Sequence, residues 1–371
     1  MIRVNYYKTL NAEGGEGDDN FNLSQITGAV EVDLGNGNDY IESSQTEASL
    51  VVKGEEGRDN LNVYRGVKVE LEGGTDDDNL LAYDFLDGKL LGGKGNDTLA
   101  AYYDESVVSA NRSRDKNKNG VYDATQVYVL DGGDGDDTLT LQGNNTKLSR
   151  GGNEATLKGG AGNDTINITD NLAGTTSRTD GNKYGIVKAV IDGGEGQDSI
   201  NIYGYVQNEG VNNYLSSGEA TVLAGGGDDY INADNFINVN VRGGEGQDNF
   251  NSYNYSQWAS TSVFYGDEGN DYGYLSRSYS AEFSGGLGED NFNWDGVGSG
   301  ILSGGEGDDS LSSNYGGHIS VSGGEGNDFI SSYRDLSASL EGGGGDDDLS
   351  LRFSDYVNYT EIRDDNNRAN D

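Results

Sequence analysis

Large apolar residues recur along this chain at alternate positions, in short stretches separated by glycine-rich turns. One apolar column includes Phe21, Leu61 and Leu99, and a second column, with Val32 and Val52, stands two residues before each glycine pair. Alternation with a period of two is typical of β-strands that bury one face. The pattern therefore predicts many short strands joined by turns.

The turns share a nonapeptide, G-G-x-G-x-D-x-U-x, in which U is a large apolar residue. Clear copies are GGEGDDNFN at 14–22, GGKGNDTLA at 92–100 and GGEGDDSLS at 304–312. The most frequent spacing is 19 or 20 residues, and the fifteen copies begin at positions 14, 34, 54, 73, 92, 132, 159, 193, 224, 243, 266, 285, 304, 323 and 342. Repeats of this length indicate a solenoid.

Each repeat predicts one coil, made of a glycine turn, a short strand centred on the eighth position, a variable second turn and a return strand. One coil buries little apolar surface by itself, so stability requires the stacking of neighbours. We therefore expect an all-β parallel β-solenoid with about 19 residues per coil, forming a single domain over 1–371. The motif spacing is longest between positions 92 and 224, which places loop insertions within 101–222, on the edge opposite the glycine turns.

The sixth motif position is aspartate in every copy. Glycine at the first, second and fourth positions permits a positive φ and lets successive carbonyl oxygens turn toward one point. Because Ca²⁺ takes six to eight hard oxygen ligands, we predict multiple calcium ions between stacked turns. The predicted ligands are Asp19, Asp39, Asp59, Asp78, Asp97, Asp137, Asp164, Asp198, Asp229, Asp248, Asp271, Asp290, Asp309, Asp328 and Asp347.

This nonapeptide resembles the RTX repeat of type I secreted proteins, from residue 14 to about residue 350. The resemblance implies a right-handed, calcium-bound β-roll. It also implies export of an unfolded chain by an uncleaved C-terminal signal, followed by folding outside the cell. Tandem RTX arrays repeat the motif every nine residues, whereas here it occurs once per coil. We therefore expect a single calcium-binding edge with one row of ions.

A second type of calcium site is predicted in the longest insertion, NRSRDKNKNGVYDATQ. Four residues match the first, third, fifth and ninth positions of an EF-hand-like loop: Asp115, Asn117, Asn119 and Asp123. Gly120 would permit the sharp turn of such a loop. Gln126 replaces the usual bidentate acid at the twelfth position, so a solvated polar loop is the alternative interpretation.

Composition narrows the function further. With 64 Asp and Glu against 24 Lys and Arg, the net charge of −40 repels nucleic acid and anionic lipid, so we expect no nucleic-acid partner. The chain has no cysteine and a single histidine, which excludes thiolate chemistry and makes multi-histidine metal sites improbable. The start, MIRVNYYKTL, lacks the apolar core of a cleavable signal peptide. No stretch approaches the roughly 18 apolar residues of a transmembrane helix, so the protein is not expected to span a membrane.

The motif array fills the chain and leaves no room for a separate catalytic domain, so we predict that this protein is not an enzyme. The favoured hypothesis is a secreted calcium-binding structural protein that folds and assembles in extracellular calcium as a surface-layer or matrix-fibre subunit. Self-association is expected head to tail, with the turn of Asp19 docking against the turn of Asp347 of another copy.

The alternative hypothesis is a calcium-stiffened adhesin or glycan-binding module that contacts cell-surface polysaccharide. Six tyrosines occupy the same eleventh motif position, which alternation predicts to face outward: Tyr64, Tyr83, Tyr102, Tyr203, Tyr253 and Tyr333. An exposed row of rings can stack on sugars or on another subunit. The other interpretation is structural stacking between neighbouring coils.

Overall fold

A computed structural model of the chain contains two compact units, each an all-β parallel solenoid. Unit 1 is Met1–Glu195 with Gly204–Asn212, and unit 2 is Gly196–Tyr203 with Asn213–Asp371. No helix of the described residues is long and apolar enough to cross a membrane. The structure describes residues 1–5, 8–44, 49–104, 126–144, 153–173, 186–207, 217–254, 260–352 and 359–363.

In unit 1 the strands alternate between those that follow a glycine turn and those that return to the next one, and two long strands do both. They are β1 (Ile2–Asn5), β2 (Leu10–Glu16), β3 (Asn20–Ser24), β4 (Val30–Asn36), β5 (Tyr40–Ser44), β6 (Ser49–Glu56), β7 (Asn60–Thr75), β8 (Asn79–Lys94), β9 (Thr98–Asp104), β10 (Gln126–Asp134), β11 (Thr138–Asn144), β12 (Asn153–Ala161), β13 (Thr165–Ala173) and β14 (Ile186–Glu195).

Unit 2 shows the same alternation of strands, and β15 is the first strand that begins in it. The strands are β15 (Ser199–Gln207), β16 (Ser217–Gly226), β17 (Tyr230–Asp234), β18 (Phe236–Glu245), β19 (Asn249–Tyr253), β20 (Thr261–Glu268), β21 (Tyr272–Ser276), β22 (Ser280–Leu287), β23 (Asn291–Asp295), β24 (Ser299–Glu306), β25 (Ser310–Asn314), β26 (His318–Glu325), β27 (Phe329–Tyr333), β28 (Ser337–Gly344), β29 (Asp348–Arg352) and β30 (Tyr359–Arg363).

Within each unit, strands pair in parallel with the equivalent strand of the next coil, so motif positions lie beside their own counterparts. In unit 2, Leu311 pairs with Ile330 between β25 and β27, while Leu302 pairs with Val321 between β24 and β26. The two apolar columns predicted from the sequence thus become two continuous rows. Both rows are buried, and they form the core of each unit between its two sheets. The predicted parallel β-solenoid is confirmed.

The apolar column of unit 2 is interrupted at one glycine, and neighbouring rings fill the space. A Cβ on Gly273 would lie 2.8 Å from the Phe292 ring and 2.9 Å from the Phe283 ring. These two phenylalanines pack edge-to-face with ring centroids 5.6 Å apart. The missing apolar side chain at the eighth position is therefore compensated by larger side chains from the next coils.

The edge opposite the glycine turns, called here the second edge, is closed in the short coils of unit 2 by one residue in the left-handed conformation. Arg277 (φ 61°), Gly296 (φ 72°), Tyr315 (φ 53°) and Arg334 (φ 61°) occupy this position in successive coils. Arginine, glycine and tyrosine all occur at this position, because this edge requires a backbone shape rather than a particular residue.

Candidate metal-binding edge

The glycine turns line up along one edge of each unit, called here the glycine edge, and carry the aspartate column. Thirteen of its fifteen aspartates are at most 3% exposed. Asp19 and Asp347 are half-buried. The fold thus places the sixth-position carboxylates inside the protein.

The glycines of the motif serve two different purposes. The second and fourth positions have a positive φ, as at Gly305 (131°) and Gly307 (124°). The first position does not, so the prediction that all three glycines serve the same backbone conformation is wrong for it. A Cβ on Gly304 would overlap Asp309 Oδ2 and lie 2.6 Å from Gly323 O in the next turn. The first glycine is required because the carboxylate and a neighbouring carbonyl occupy that space.

One oxygen of each carboxylate is used to connect adjacent turns. At thirteen of the fifteen positions, the backbone N–H of the aspartate donates to Oδ1 of the aspartate in the following turn, over 2.7–3.0 Å. Backbone N–H groups buried in a turn require an acceptor. The invariant aspartate therefore has a structural role even without a metal, which the sequence pattern did not reveal.

The second oxygen of the carboxylate is left without a hydrogen bond. Within the described residues, the buried Oδ2 atom lacks a hydrogen-bond partner at twelve glycine-edge positions: Asp39, Asp59, Asp78, Asp97, Asp137, Asp229, Asp248, Asp271, Asp290, Asp309, Asp328 and Asp347. A buried carboxylate oxygen without a partner is unfavourable unless it binds a cation or a proton. The glycine edge therefore repeats an unsatisfied anionic atom once per turn.

Burial raises the pKa of eleven of these carboxyl groups, and this desolvation outweighs the backbone hydrogen bond that lowers the pKa. The pKa rises from 3.8 to about 8 at Asp78 and Asp248 and to about 6 at Asp97 and Asp290. Neighbouring aspartates raise several of these values further. The pKa rises to about 7 at Asp59, Asp137, Asp229, Asp271 and Asp309. Near neutral pH, these carboxyl groups thus favour binding a proton when no cation is bound.

Backbone carbonyls supply the other oxygens at this edge. A Cβ on Gly37 would lie 2.6 Å from Gly17 O of the previous turn, and one on Gly73 would lie 2.7 Å from Gly92 O of the next turn. Within the described residues, no group of three or more His, Cys, Asp or Glu side chains could hold a metal ion together. A cation here would therefore be held by one or two carboxylates and several glycine carbonyls. Such an all-oxygen set fits Ca²⁺ and suits soft metals poorly.

A second hydrogen-bonded row runs beside the aspartates and was missed by the sequence analysis. At the fifth motif position, the backbone N–H donates to a side-chain oxygen of the preceding turn. Asn38 N donates to Asp18 Oδ1 over 2.9 Å, and Asp346 N donates to Asn327 Oδ1 over 2.9 Å. Eleven of the fifteen copies have Asp or Asn at this position, and that bias was the available signal.

The other predicted sites have different outcomes. Asp115, Asn117, Asn119 and Asp123 lie outside the described residues, so the EF-hand-like loop stays a prediction. Gln126, its twelfth position, is buried at the start of β10 and accepts a 2.7 Å hydrogen bond from the Tyr128 hydroxyl.

The tyrosines of unit 1 contact one another between coils. Ring centroids are 6.3 Å apart for Tyr64 and Tyr83 and 5.7 Å apart for Tyr83 and Tyr102. Tyr64 is 37% exposed, while the other two rings are half-buried. Cross-coil stacking is therefore present, and a sugar-binding role for this row stays a prediction.

Comparison with known proteins adds no relative from which a role could be transferred. No protein-family model matches the chain, and no curated protein matches it. The resemblance of the motif to RTX repeats therefore rests on the nonapeptide itself, and the solenoid fold is compatible with it.

Proposed function

We propose that this protein is a secreted calcium-binding structural protein whose glycine edge binds a row of Ca²⁺ ions. The observation that carries the proposal is the unpartnered, buried Oδ2 atom that recurs along this edge. Calcium would neutralise these oxygens, and the adjacent glycine carbonyls would complete its coordination. The one-per-coil motif supports one row of ions.

Calcium binding explains how so acidic a chain could fold. Without a cation, aspartates in successive turns repel one another across a single coil spacing of about 4.8 Å. Metal affinity that exists only in the folded state becomes folding free energy. Extracellular calcium modules bind with dissociation constants of about 10⁻⁴–10⁻³ M. Sites in this range would be empty in the cytosol and filled outside the cell, in keeping with export as an unfolded chain by the type I route.

The direct test is a calcium titration of the full chain. Circular dichroism should show a largely unfolded chain at pH 7.5 in excess chelator and a cooperative gain of β structure at roughly millimolar calcium. Equilibrium dialysis with ⁴⁵Ca should give several ions per chain, and magnesium at the same concentration is the control. A full β spectrum in chelator, together with no bound calcium, would overturn the proposal.

We also propose that the protein has no catalytic role and assembles as a surface-layer or matrix-fibre subunit. The motif array supports a structural role, and the half-buried Asp347 with its unpartnered Oδ2 supports a calcium-bridged contact with the Asp19 turn of another copy. Electron microscopy with calcium should show filaments or sheets, and the double variant Asp19→Asn and Asp347→Asn should remain folded but monomeric. Undiminished assembly of that variant would exclude the head-to-tail contact.

A calcium-stiffened adhesin is the second candidate. The exposed tyrosine of the unit 1 row, Tyr64, and the stacked rings beside it favour it, because aromatic rings in a regular row can bind sugars. Monomeric particles that bind polysaccharide in the presence of calcium would favour this candidate over the structural subunit.

A further inference from the structure

One face of unit 2 is almost without charge. The first, third and fifth positions of β19, β21, β23, β25 and β27 alternate outward, and we call these fifteen positions the uncharged face. They hold five Asn, four Ser, four Tyr, one Phe and one Asp, and among them only Ser276 is buried. The positions are Asn249, Asn251, Tyr253, Tyr272, Tyr274, Ser276, Asn291, Asn293, Asp295, Ser310, Ser312, Asn314, Phe329, Ser331 and Tyr333.

This composition departs from that of the whole chain. Charged residues make up 24% of the sequence, yet the uncharged face carries one carboxylate in fifteen positions. The glycine turns of the same coils do carry exposed acids, including Glu306, Asp308 and Glu325. The exposed acids of these coils are thus concentrated at the glycine edge, and the uncharged face has only one.

Aromatic rings on the uncharged face are accessible and are interspersed with amides and hydroxyls. Tyr253 is 51% exposed, Phe329 46% and Tyr272 38%. The Tyr253 ring also contacts the ring of Tyr274, with centroids 5.2 Å apart. Because adjacent strands pair in parallel and in register, these groups repeat at the coil spacing over a continuous sheet surface.

Hydrogen bonds hold part of the amide row in place. Asn251 Nδ2 donates to Asn249 Oδ1 over 2.6 Å, and Asn314 Nδ2 donates to Asn293 Oδ1 over 3.1 Å. Each side-chain amide has two donor hydrogens and an acceptor oxygen, so each of these bonds uses only part of the capacity of its partners. The amides are therefore oriented and retain groups that can bind a ligand.

We propose that the uncharged face binds a neutral polysaccharide chain. A pyranose ring has an apolar C–H surface that packs on an aromatic ring, and its hydroxyls suit amide and hydroxyl partners. The proposal needs only the folded chain and goes beyond the calcium role of the glycine edge. The repeated surface suits a polymer, since each coil presents aromatic, amide or hydroxyl groups at the same three strand positions.

Charge and composition discriminate against other occupants. None of the fifteen positions is Lys or Arg, and among the described residues the one cation stacked on a ring of the face is Arg334, 5.0 Å from the Tyr333 ring centroid. Against a net charge of −40 in the chain, an anionic polymer would be repelled. A cationic polymer would bind the acids of the glycine edge in preference. Protein interfaces are depleted in Ser and Asp and enriched in Arg, Met and Trp, whereas the face has four Ser and one Asp and lacks Arg, Met and Trp, which disfavours a second copy.

The test is native gel electrophoresis of the full chain at constant calcium, in gels containing a dissolved polysaccharide. Hydroxyethyl cellulose and dextran are the neutral probes, and carboxymethyl cellulose and dextran sulfate are their anionic counterparts. We expect retardation by at least one neutral probe and none by the anionic counterparts. The triple variant Tyr253→Ala, Tyr272→Ala and Phe329→Ala should bind about tenfold or more weakly.

The matched control is Tyr279→Ala, because Tyr279 lies on the second edge and is 57% exposed; it should bind like the parent chain. Circular dichroism checks that each variant is folded, and if the triple variant is not, its three single substitutions replace it. No retardation by either neutral probe, or equal retardation of a folded triple variant, would overturn the proposal. Stronger retardation by the anionic probes would also overturn it, as would a dimer lost in the triple variant without any polysaccharide binding.

Discussion

The glycine edge and the second edge close the same coils, yet only the glycine edge repeats its chemistry. At the glycine edge, every turn presents an aspartate, and at thirteen of the fifteen its Oδ1 accepts an N–H from the preceding turn. At the second edge of unit 2, successive coils place Arg277, Gly296, Tyr315 and Arg334 at the equivalent position. The equivalent second-edge position is joined to the next coil by a backbone hydrogen bond, as from Tyr315 N to Tyr333 O, which a residue of any type can make. The glycine edge instead uses the aspartate side chain as the acceptor, so its residue type is fixed.

Buried acids occur on both edges, and their partners differ. At the second edge, both oxygens of the buried Asp335 are satisfied, because Oδ1 accepts the N–H of Gly316 and Oδ2 accepts the Ser332 hydroxyl over 2.7 Å. At the glycine edge, Asp248 has a bonded Oδ1 and a buried Oδ2 without a partner. Burial of an acid is thus not by itself the signal of a metal site, whereas a repeated unsatisfied oxygen is.

The largest expected effect is a pH dependence of the calcium-free fold. The pKa of nine glycine-edge aspartates rises from 3.8 to between about 6 and about 8 on folding, so the folded state favours the protonated form. This contribution to stability is fully present below the unfolded pKa and is lost as the pH rises through the folded values. In calcium-stripped buffer, β structure should form at about pH 5 and disappear by about pH 8.

Circular dichroism at a series of pH values measures this transition, and the same series in millimolar calcium is the control. With calcium bound, the β signal should persist at the high-pH end. A calcium-free chain that is equally folded at both ends of the range would show that the glycine-edge acids do not control folding.

The next largest difference between the two edges is expected in the stability lost when one glycine of each edge is replaced by alanine. Gly304→Ala places a Cβ against Asp309 Oδ2 and Gly323 O, and such an overlap costs roughly 1–3 kcal/mol or more. Gly296→Ala at the second edge meets only Arg277 Cγ at 3.9 Å, so its cost is the left-handed backbone, about 1 kcal/mol. Urea unfolding in saturating calcium gives both values, and a smaller loss for Gly304→Ala would contradict the proposed packing.

Removing one buried acid from each edge should give similar losses of stability but a different calcium response. Asp248→Ala leaves the Asp229 N–H without its acceptor, and Asp335→Ala does the same to the Gly316 N–H. Each should cost about 1–3 kcal/mol. Only Asp248→Ala should also reduce the stability gained on adding calcium, as measured by thermal melts with and without the ion. If calcium stabilised both variants equally, Asp248 would not be a calcium ligand.

The smallest effect is expected within the glycine edge itself, at the fifth position. Asn327→Ala removes the exposed acceptor of the Asp346 N–H, and water can replace it, so the loss should be about 0.5–1 kcal/mol. Calcium affinity should not change, because the invariant aspartates are untouched. A loss of unfolding free energy as large as that of Asp248→Ala, measured in the same urea series, would show that the fifth-position side chains stabilise the fold as much as the sixth-position aspartates do.

Much of the fold could be read from the chain because the repeat is strict. The period of two in the apolar residues determined the strands, and the 19-residue spacing determined their parallel pairing and register. The invariant sixth-position aspartate identified the edge where any cation would bind. Each of these features depends on the spacing of residues along the chain, which can be read from the sequence.

Other features depend on neighbouring coils, and only the tertiary structure decided them. The sequence does not show that an aspartate such as Asp248 accepts the N–H of the previous turn at Oδ1 while its Oδ2 lacks a partner, since this depends on how two turns stack. Likewise, Phe283 and Phe292 fill the space at Gly273, and the exposure of Tyr253 exceeds that of Tyr64. Packing between coils sets these contacts, because each joins atoms that are distant in the chain and adjacent only after folding.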